Sequence, residues 1–354
     1  MSAVPQAGRP ASGKRAFLAG ATGYIGRNVA RELVARGWEV VCFARRQSGI
    51  AGTNSLDRTR AILAGCEVRV GEVCEAESLR RDGFRGEAFD AVVSCLASRS
   101  GGIEDSWRID YQASKDLLDA SLECGASHFL LLSAICVQRP RLAFQQAKLK
   151  MERELREQAD SGITWTIVRP TAFFKSLSGQ IEAVKRGRPF TVFRNSRAAC
   201  KPIAEADLAA FMADCLEDPA RQNRILPIGG PGPALSAEDC GRLLFELLGR
   251  EPKFRRVPLS IFTIAIPLLS ALGLLLPRFR DKAEFARIGR YYATESMLVL
   301  DAESGEYDAA ATPSHGGTSL RDFYRRALEN GLDGQELGDH ALFADSGGGE
   351  RPQP

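Results

Sequence analysis

The stretch "AFLAGATGYIGRNVARELVAR", residues 16–36, decides the architecture. An apolar run, Ala16 to Ala19, breaks at a G-x-x-G-x-x-G turn made by Gly20, Gly23 and Gly26, and an amphipathic run follows at once. Glycine takes the positive φ of a sharp turn and lets backbone or ligand approach where a Cβ would stand in the way. Strand, glycine turn and helix in direct succession read as a dinucleotide-binding turn. Gly20 sharpens it, Gly23 admits a pyrophosphate, and Gly26 packs the helix onto the strand. The helix N-terminus then presents unpaired N–H groups and its positive dipole end to the phosphates.

Outward from this turn the pattern repeats. "AFLAG", "EVVCF", "EVRV", "DAVVSCL", "HFLLLSA" and "TWTIVRP" are strand candidates, and helix-length stretches at Ile25–Arg36, Ser106–Cys124, Arg141–Ala159 and Ala204–Leu216 alternate with or follow them. Such alternation implies an α/β fold with a Rossmann-like, doubly wound parallel sheet. After about Phe174 the rhythm loosens into helices, short strands such as "PFTVF" and "RILPI", and Pro/Gly joints such as "GGPGP", as a smaller C-terminal substrate lobe would. The expected division is a tail at 1–14, a nucleotide-binding domain at 15–174, a mixed lobe at 175–343 with some segments returning to the first domain, and a tail at 344–354.

Composition narrows the function classes. In 354 residues the net charge is only +3, with acids and bases interspersed, so nothing resembles the continuous basic stripe that tracks nucleic acid. Nine scattered cysteines include no C-x-x-C pair, and no histidines stand at ligand spacing; neither a metal nor an iron–sulfur cluster is expected. This cysteine usage suits a reducing, cytoplasmic compartment. The start, "MSAVPQAGRPASGKR", shows no apolar h-region, so no secretory signal is expected.

One segment stands apart. "LSIFTIAIPLLSALGLLL", residues 259–276, is uncharged and as a helix would run roughly 27 Å, near the thickness of a bilayer core. Pro267 interrupts it and Pro258 and Pro277 bound it, which argues against a span. Packing within the substrate lobe is the first expectation and peripheral contact with a membrane face the second.

Cofactor choice is read at the end of the second strand, in "CFARRQS". Arg45 and Arg46 stand where an NAD enzyme would carry a carboxylate for the ribose hydroxyls, and their planar cationic forks suit a 2′-phosphate, so NADPH is expected.

The order of glycine turn, a strand ending in Ser133, and a lysine, Lys148, on the next helix resembles the short-chain dehydrogenase/reductase superfamily. There a serine, a tyrosine and a lysine cooperate, but in "AFQQAKLKME" the tyrosine position holds Phe144, which has no proton to give. Ordinary carbonyl reduction through that residue is closed. Two readings stay open: a non-catalytic NADPH-binding regulator or assembly factor, or a reductase of a carbon–carbon double bond conjugated to a large π-system.

A closer resemblance is carried by "SCLASRSGGIEDSW", "GASHFLLLSAICVQRP", "FQQAKLKME", "GITWTIVRPTAFFKSLSGQ", "ACKPIAEADLA", "ARIGRYYATESMLV", "GEYDAAATPS" and "GLDGQELGD". These strings are similar to the NADPH-dependent divinyl chlorophyllide 8-vinyl-reductase family, an atypical branch of the superfamily in which phenylalanine at this position is usual. The resemblance implies reduction of the C8 vinyl group of a divinyl chlorophyllide or protochlorophyllide, a magnesium tetrapyrrole, to ethyl in chlorophyll or bacteriochlorophyll synthesis. It also implies roles. Gly20, Thr22, Gly23, Tyr24, Ile25 and Gly26 wrap the pyrophosphate, Arg45 and Arg46 hold the 2′-phosphate, and Glu72 meets adenine. Ala97 and Ser98 approach the ribose, Pro170, Thr171 and Phe173 meet the nicotinamide, and Lys148 and Ser133 are catalytic. Phe144, Phe174, Tyr291 and Tyr292 are candidates to line a slot for the macrocycle. A greasy pigment precursor gives residues 259–276 a second rationale, that of an enzyme resting on the photosynthetic membrane and handing its product to other pigment-synthesis enzymes.

Overall fold

The computed structural model describes residues 13–48 and 54–332. The C-terminal tail, nearly all of the N-terminal one and most of "GLDGQELGD" lie outside the described residues. Two compact units emerge: one from residues up to Ser98, Gly102–Pro170 and Glu205–Ile228, the other from Arg99–Gly101, Thr171–Ala204 and the chain from Gly229 on.

The first unit is built on β1 (Arg15–Ala19), β2 (Glu39–Ala44), β3 (Glu67–Val70), β4 (Ala91–Ser94), β5 (His128–Leu132) and β6 (Thr164–Pro170). With β9 (Arg224–Ile228) they form a seven-stranded sheet in the order β3-β2-β1-β4-β5-β6-β9, every neighbouring pair parallel. Phe17 of β1 sits in register with Val41 on one side and Val92 on the other. Central strands of a parallel sheet are covered on both faces, which is why "AFLA", "AVVS" and "HFLLL" are buried at every position rather than alternately. The core beneath them is aromatic. Phe17 stacks on Phe84 at 4.1 Å and meets Phe89 edge-on at 5.4 Å.

The seventh strand comes from beyond Phe174. "RILPI" forms β9 (Arg224–Ile228), which belongs to this sheet and pairs with β6, placing Ile225 beside Ile167. The short strands β7 (Phe190–Phe193) and β8 (Ala199–Cys200), which precede it, belong to the second unit. A short apolar run announces a strand but not the partner that will pair with it, and here the open edge of β6 takes it.

The glycine turn is fixed by backbone crowding. Gly20 has φ +80°, and a Cβ there would lie 2.4 Å from the carbonyl oxygen of Cys95, just past β4. A Cβ on Gly26 would lie 2.1 Å from the Gly20 carbonyl oxygen. The helix Gly26–Ala35 therefore starts directly against the strand it leaves. Tyr24, inside the turn, donates a 2.6 Å hydrogen bond to Glu205 at the head of the helix Glu205–Glu217, and Arg36 past the helix end pairs with Asp214 and Glu217 of the same partner. Loop and helix are thus held at both ends.

The second unit has its own core, with Phe174, Leu244, Phe245, Phe323 and Tyr324 at its centre. Its helices Ala237–Leu247 and Leu320–Asn330 each begin with a capping box, Ser236 with Asp239 and Ser319 with Asp322. The uncharged segment is a helix, Ser260–Leu275, with Pro267 inside it. It does not bury itself in the lobe as first expected: Gly273 is its one buried residue, and a Cβ there would crowd Arg280 of the next helix, Arg278–Thr294. Its length accommodates no crossing. Among the described residues no helix is long and apolar enough to span a membrane.

Because the Gly20 oxygen is a backbone atom and cannot swing aside, Gly26→Ala should lower the unfolding free energy by ~2 kcal/mol. Urea denaturation followed by circular dichroism measures this, and an unchanged midpoint would show that the turn opens without cost.

Candidate active site

In a parallel sheet every strand ends on the same edge, so the segments after β1 to β6 converge there. After β1 comes the glycine turn. Gly23 donates its N–H to the Gly20 oxygen at 3.0 Å, and within 4 Å of a Cβ placed on Gly23 only that oxygen is found, at 3.2 Å, so its other sides are open. After β2, Arg45 and Arg46 are exposed, and neither makes a hydrogen bond or ion pair among the described residues. Exposed Glu72 follows β3, its N–H held by Ser78 Oγ at 3.0 Å. Ala97 and Ser98 follow β4, Ser133 follows β5, and Pro170 closes β6. Adjacent to the turn, burial pushes the Cys95 thiol up to about 12, with the Lys148 charge pulling the other way. It stays a thiol at neutral pH.

Beneath this edge lie buried charges. Lys148, on the helix Ala143–Arg156, places Nζ 3.0 Å from Oδ1 of Asp110, whose other oxygen accepts the Ser98 N–H at 3.2 Å. Asp110 belongs to the π-helical stretch Ser106–Ala113, whose wider turns are common where a side chain must be re-aimed. One turn beyond Lys148, Glu152 accepts a 2.5 Å hydrogen bond from Ser133 Oγ and is gripped by the Arg169 guanidinium through both of its oxygens, Nε at 3.0 Å. Asp110 and Glu152 are each 2% exposed. Charges so deeply buried persist only when paired, and both acids are.

None of Asp110, Glu152 and Arg169 belongs to a sequence signature. Glu152 alone left a signal, an acid four residues past Lys148 and so on the same helix face. Phe144 also lies on that face, one turn before Lys148, half-buried. Its helix start is fixed by Gln145, whose Oε1 accepts from the N–H groups of Arg141 and Leu142 at 2.8 and 3.0 Å.

The remaining candidates belong to the second unit. Thr171 donates its hydroxyl to the Lys201 carbonyl, and Phe173 forms a parallel bridge with Ile203. Phe174 was expected to line a slot, but it is fully buried, its ring 5.3 Å from that of Phe323, and it serves the unit's own core. Tyr291 is likewise buried, while Tyr292, edge-on to it at 5.8 Å, is 40% exposed. On a helix, neighbouring residues point about 100° apart, so a Tyr-Tyr pair cannot face one ligand together. Among the described residues, no group of three or more His, Cys, Asp and Glu side chains could hold a metal ion.

Residues 20–219 match the NAD(P)H-binding family model. The chain is 53% identical over 331 residues to the chloroplastic divinyl chlorophyllide a 8-vinyl-reductase of Cucumis sativus, covering 92% of this chain and 79% of that one. It is 52% identical over 330 residues to the corresponding Oryza sativa subsp. indica protein, covering 92% and 82%. The chain belongs to the divinyl chlorophyllide a 8-vinyl-reductase family. Likeness in fold extends further: the NADPH-dependent quinone oxidoreductase of Escherichia coli, solved with NADPH, superposes with a TM-score of 0.63 at 16% identity, covering 88% of this chain and 99% of that one.

Membership in the vinyl-reductase family makes this an NAD(P)H-dependent oxidoreductase, and the non-catalytic reading of Phe144 is set aside. The phenylalanine stands in a chain that keeps its lysine buried and paired. Replacing Asp110 by Asn should strand the Lys148 cation and cost ~3 kcal/mol of stability, whereas adding Lys148→Met should restore part of it. A double-mutant cycle in urea tests the pair, and strictly additive losses would show that the two charges do not interact.

Proposed function

We propose that the chain uses NADPH to reduce the C8 vinyl group of a divinyl chlorophyllide to ethyl, and that bacteriochlorophyll synthesis is among its settings. Phe144 carries this reading. A vinyl group conjugated to a tetrapyrrole takes a hydride at its terminal carbon, the charge spreads through the macrocycle, and a proton completes the ethyl group. No phenol is required, because no substrate oxygen has to be protonated.

The residues at the sheet edge fit a dinucleotide. The glycine turn leaves Gly23 open on its outer sides, and the exposed guanidinium groups of Arg45 and Arg46 match a 2′-phosphate. When bound, NADPH supplies the hydride. The chain's own residues position and hold: Gly20, Thr22, Gly23, Tyr24, Ile25 and Gly26 surround the pyrophosphate, while Glu72, Ala97 and Ser98 flank the adenosine side. Lys148, held 3.0 Å from Asp110, donates to ribose hydroxyls. Ser133, whose hydroxyl proton is committed to Glu152, presents lone pairs rather than an acid. Pro170, Thr171 and Phe173 are assigned to the nicotinamide end, and Phe144 and Tyr292 to contact with the macrocycle. The second unit acts as the substrate lobe, and residues 259–276 make peripheral contact with a membrane where other pigment enzymes work.

Purified protein given NADPH and divinyl chlorophyllide should move the Soret band to shorter wavelength as one conjugated vinyl group is lost. An unchanged spectrum from folded, nucleotide-bound protein would refute the reading. Arg45→Ala combined with Arg46→Ala should weaken NADPH by ~10-fold or more while leaving NADH nearly unaffected, since each charged hydrogen bond contributes about 1.5–3 kcal/mol. Titration of both nucleotides distinguishes this from a general loss of the site, which would weaken them equally.

A further inference from the structure

The helix Ser260–Leu275 turns an apolar stripe to solvent. Ile261, Ile264, Leu268, Ala271 and Leu275 recur at the three- and four-residue spacing of one helix face, and all are exposed. Ile264 is 71% exposed, Leu268 59%, Leu274 80% and Leu275 81%, values that surface leucine and isoleucine rarely reach together. The opposite side is anchored: Arg287 donates to Ser270 at 2.8 Å, Arg280 donates to the Gly273 carbonyl at 3.0 Å, and Phe262 packs on Phe193 at 5.3 Å. The stripe is therefore the free face of a held helix.

What covers it is indicated by charge. From 257 to 277 no residue is charged, yet both flanks are basic. Lys253, Arg255 and Arg256 precede the helix and Arg278, Arg280 and Lys282 follow it, all exposed, with Asp281 the one acid within those flanks and Arg256 paired with Glu238 at 3.0 Å. A second copy of the chain is a poor cover. Whether the two helices lay parallel or antiparallel, a two-fold contact would bring a cationic flank against a cationic flank. A surface with an apolar interior and negative headgroups meets both features.

We propose that Ser260–Leu275 is an in-plane membrane helix, its Ile261–Leu275 stripe sunk about 5–10 Å into the acyl boundary of an anionic bilayer, with the flanking cations on the headgroups. This deepens the peripheral contact proposed above by naming the lipid chemistry and the inserted face. With Pro267 inside it and about 24 Å of length, the helix lies along the interface rather than through it.

The test is flotation of the full chain with vesicles of phosphatidylcholine alone or mixed equally with phosphatidylglycerol. The wild-type chain is expected to float with the anionic vesicles and stay behind with the neutral ones. Ile264→Glu with Leu268→Glu should lower partitioning by at least ~10-fold at unchanged melting temperature. Arg278→Gln with Lys282→Gln should lower it ~5-fold per cation removed, the equivalent of about 1 kcal/mol each. Failure of the wild-type chain to float with anionic vesicles would overturn the proposal, as would equal flotation of the Glu variant. So would a dimer in light scattering that the Glu variant dissolves, since the stripe would then be its interface. Vinyl reduction on detergent-dispersed substrate is measured alongside. Flotation without turnover would defeat the reductase reading and support the membrane helix, and turnover without flotation would do the reverse.

Discussion

The first unit depends on one close approach: the Gly20 carbonyl oxygen occupies the space where residue 26 would carry a Cβ. That contact turns the chain from β1 into its helix within a few residues, and the positive φ of Gly20 brings the same turn against the backbone beyond β4. Neither contact tolerates a side chain, so two positions of the motif are demanded by steric exclusion inside the protein. Gly23 is different. Its surroundings are crowded on one side only, by the Gly20 oxygen at 3.2 Å.

The second constraint is charge in a dry place. Lys148, Asp110 and Glu152 are buried, and each is answered: the lysine by Asp110, the glutamate by Arg169 and the Ser133 hydroxyl. Such pairs contribute little net stability, but they fix the orientation of what they hold, because removing one partner leaves an uncompensated charge. In a reductase with phenylalanine at 144, the lysine has no phenol to acidify. Asp110 holds the lysine and Glu152 holds the Ser133 hydroxyl. Under the proposed function the site is one for positioning, with delocalisation in the substrate standing in for the acidity that a side chain ordinarily supplies.

The second unit shows a different use of apolar sequence. Its core takes the aromatic residues Phe174, Phe323 and Tyr324, whereas its most continuous apolar stretch is left outside. An exposed stripe of that size has an unfavourable hydration free energy unless something covers it. The basic flanks give the cover its proposed sign, and the helix Ser260–Leu275 is too short to cross. A chain whose substrate is a flat, greasy pigment would gain from resting where such molecules accumulate.

How much of this was legible beforehand follows from the range of the forces involved. Runs such as "EVRV" and "TWTIVRP" marked β3 and β6 to the residue through local traces: β6 because burial on both faces selects a continuous apolar run, and β3, at the sheet's edge, through the alternation of its valines with charged residues. The glycine spacing announced its turn for the same reason, since the crowding involves residues six apart. Tertiary structure decided the rest. Whether "RILPI" joined the main sheet depended on an open edge more than fifty residues away, and whether residues 259–276 were covered depended on what else the lobe could pack against them. Asp110 was invisible because an acid's partner is chosen in space, 38 positions along the chain in this case. The sequence by itself determined the strands, the nucleotide turn and the missing phenol, all written in near neighbours. Folding alone decided which charges meet and which apolar face stays bare, because both are set by pairings between distant segments.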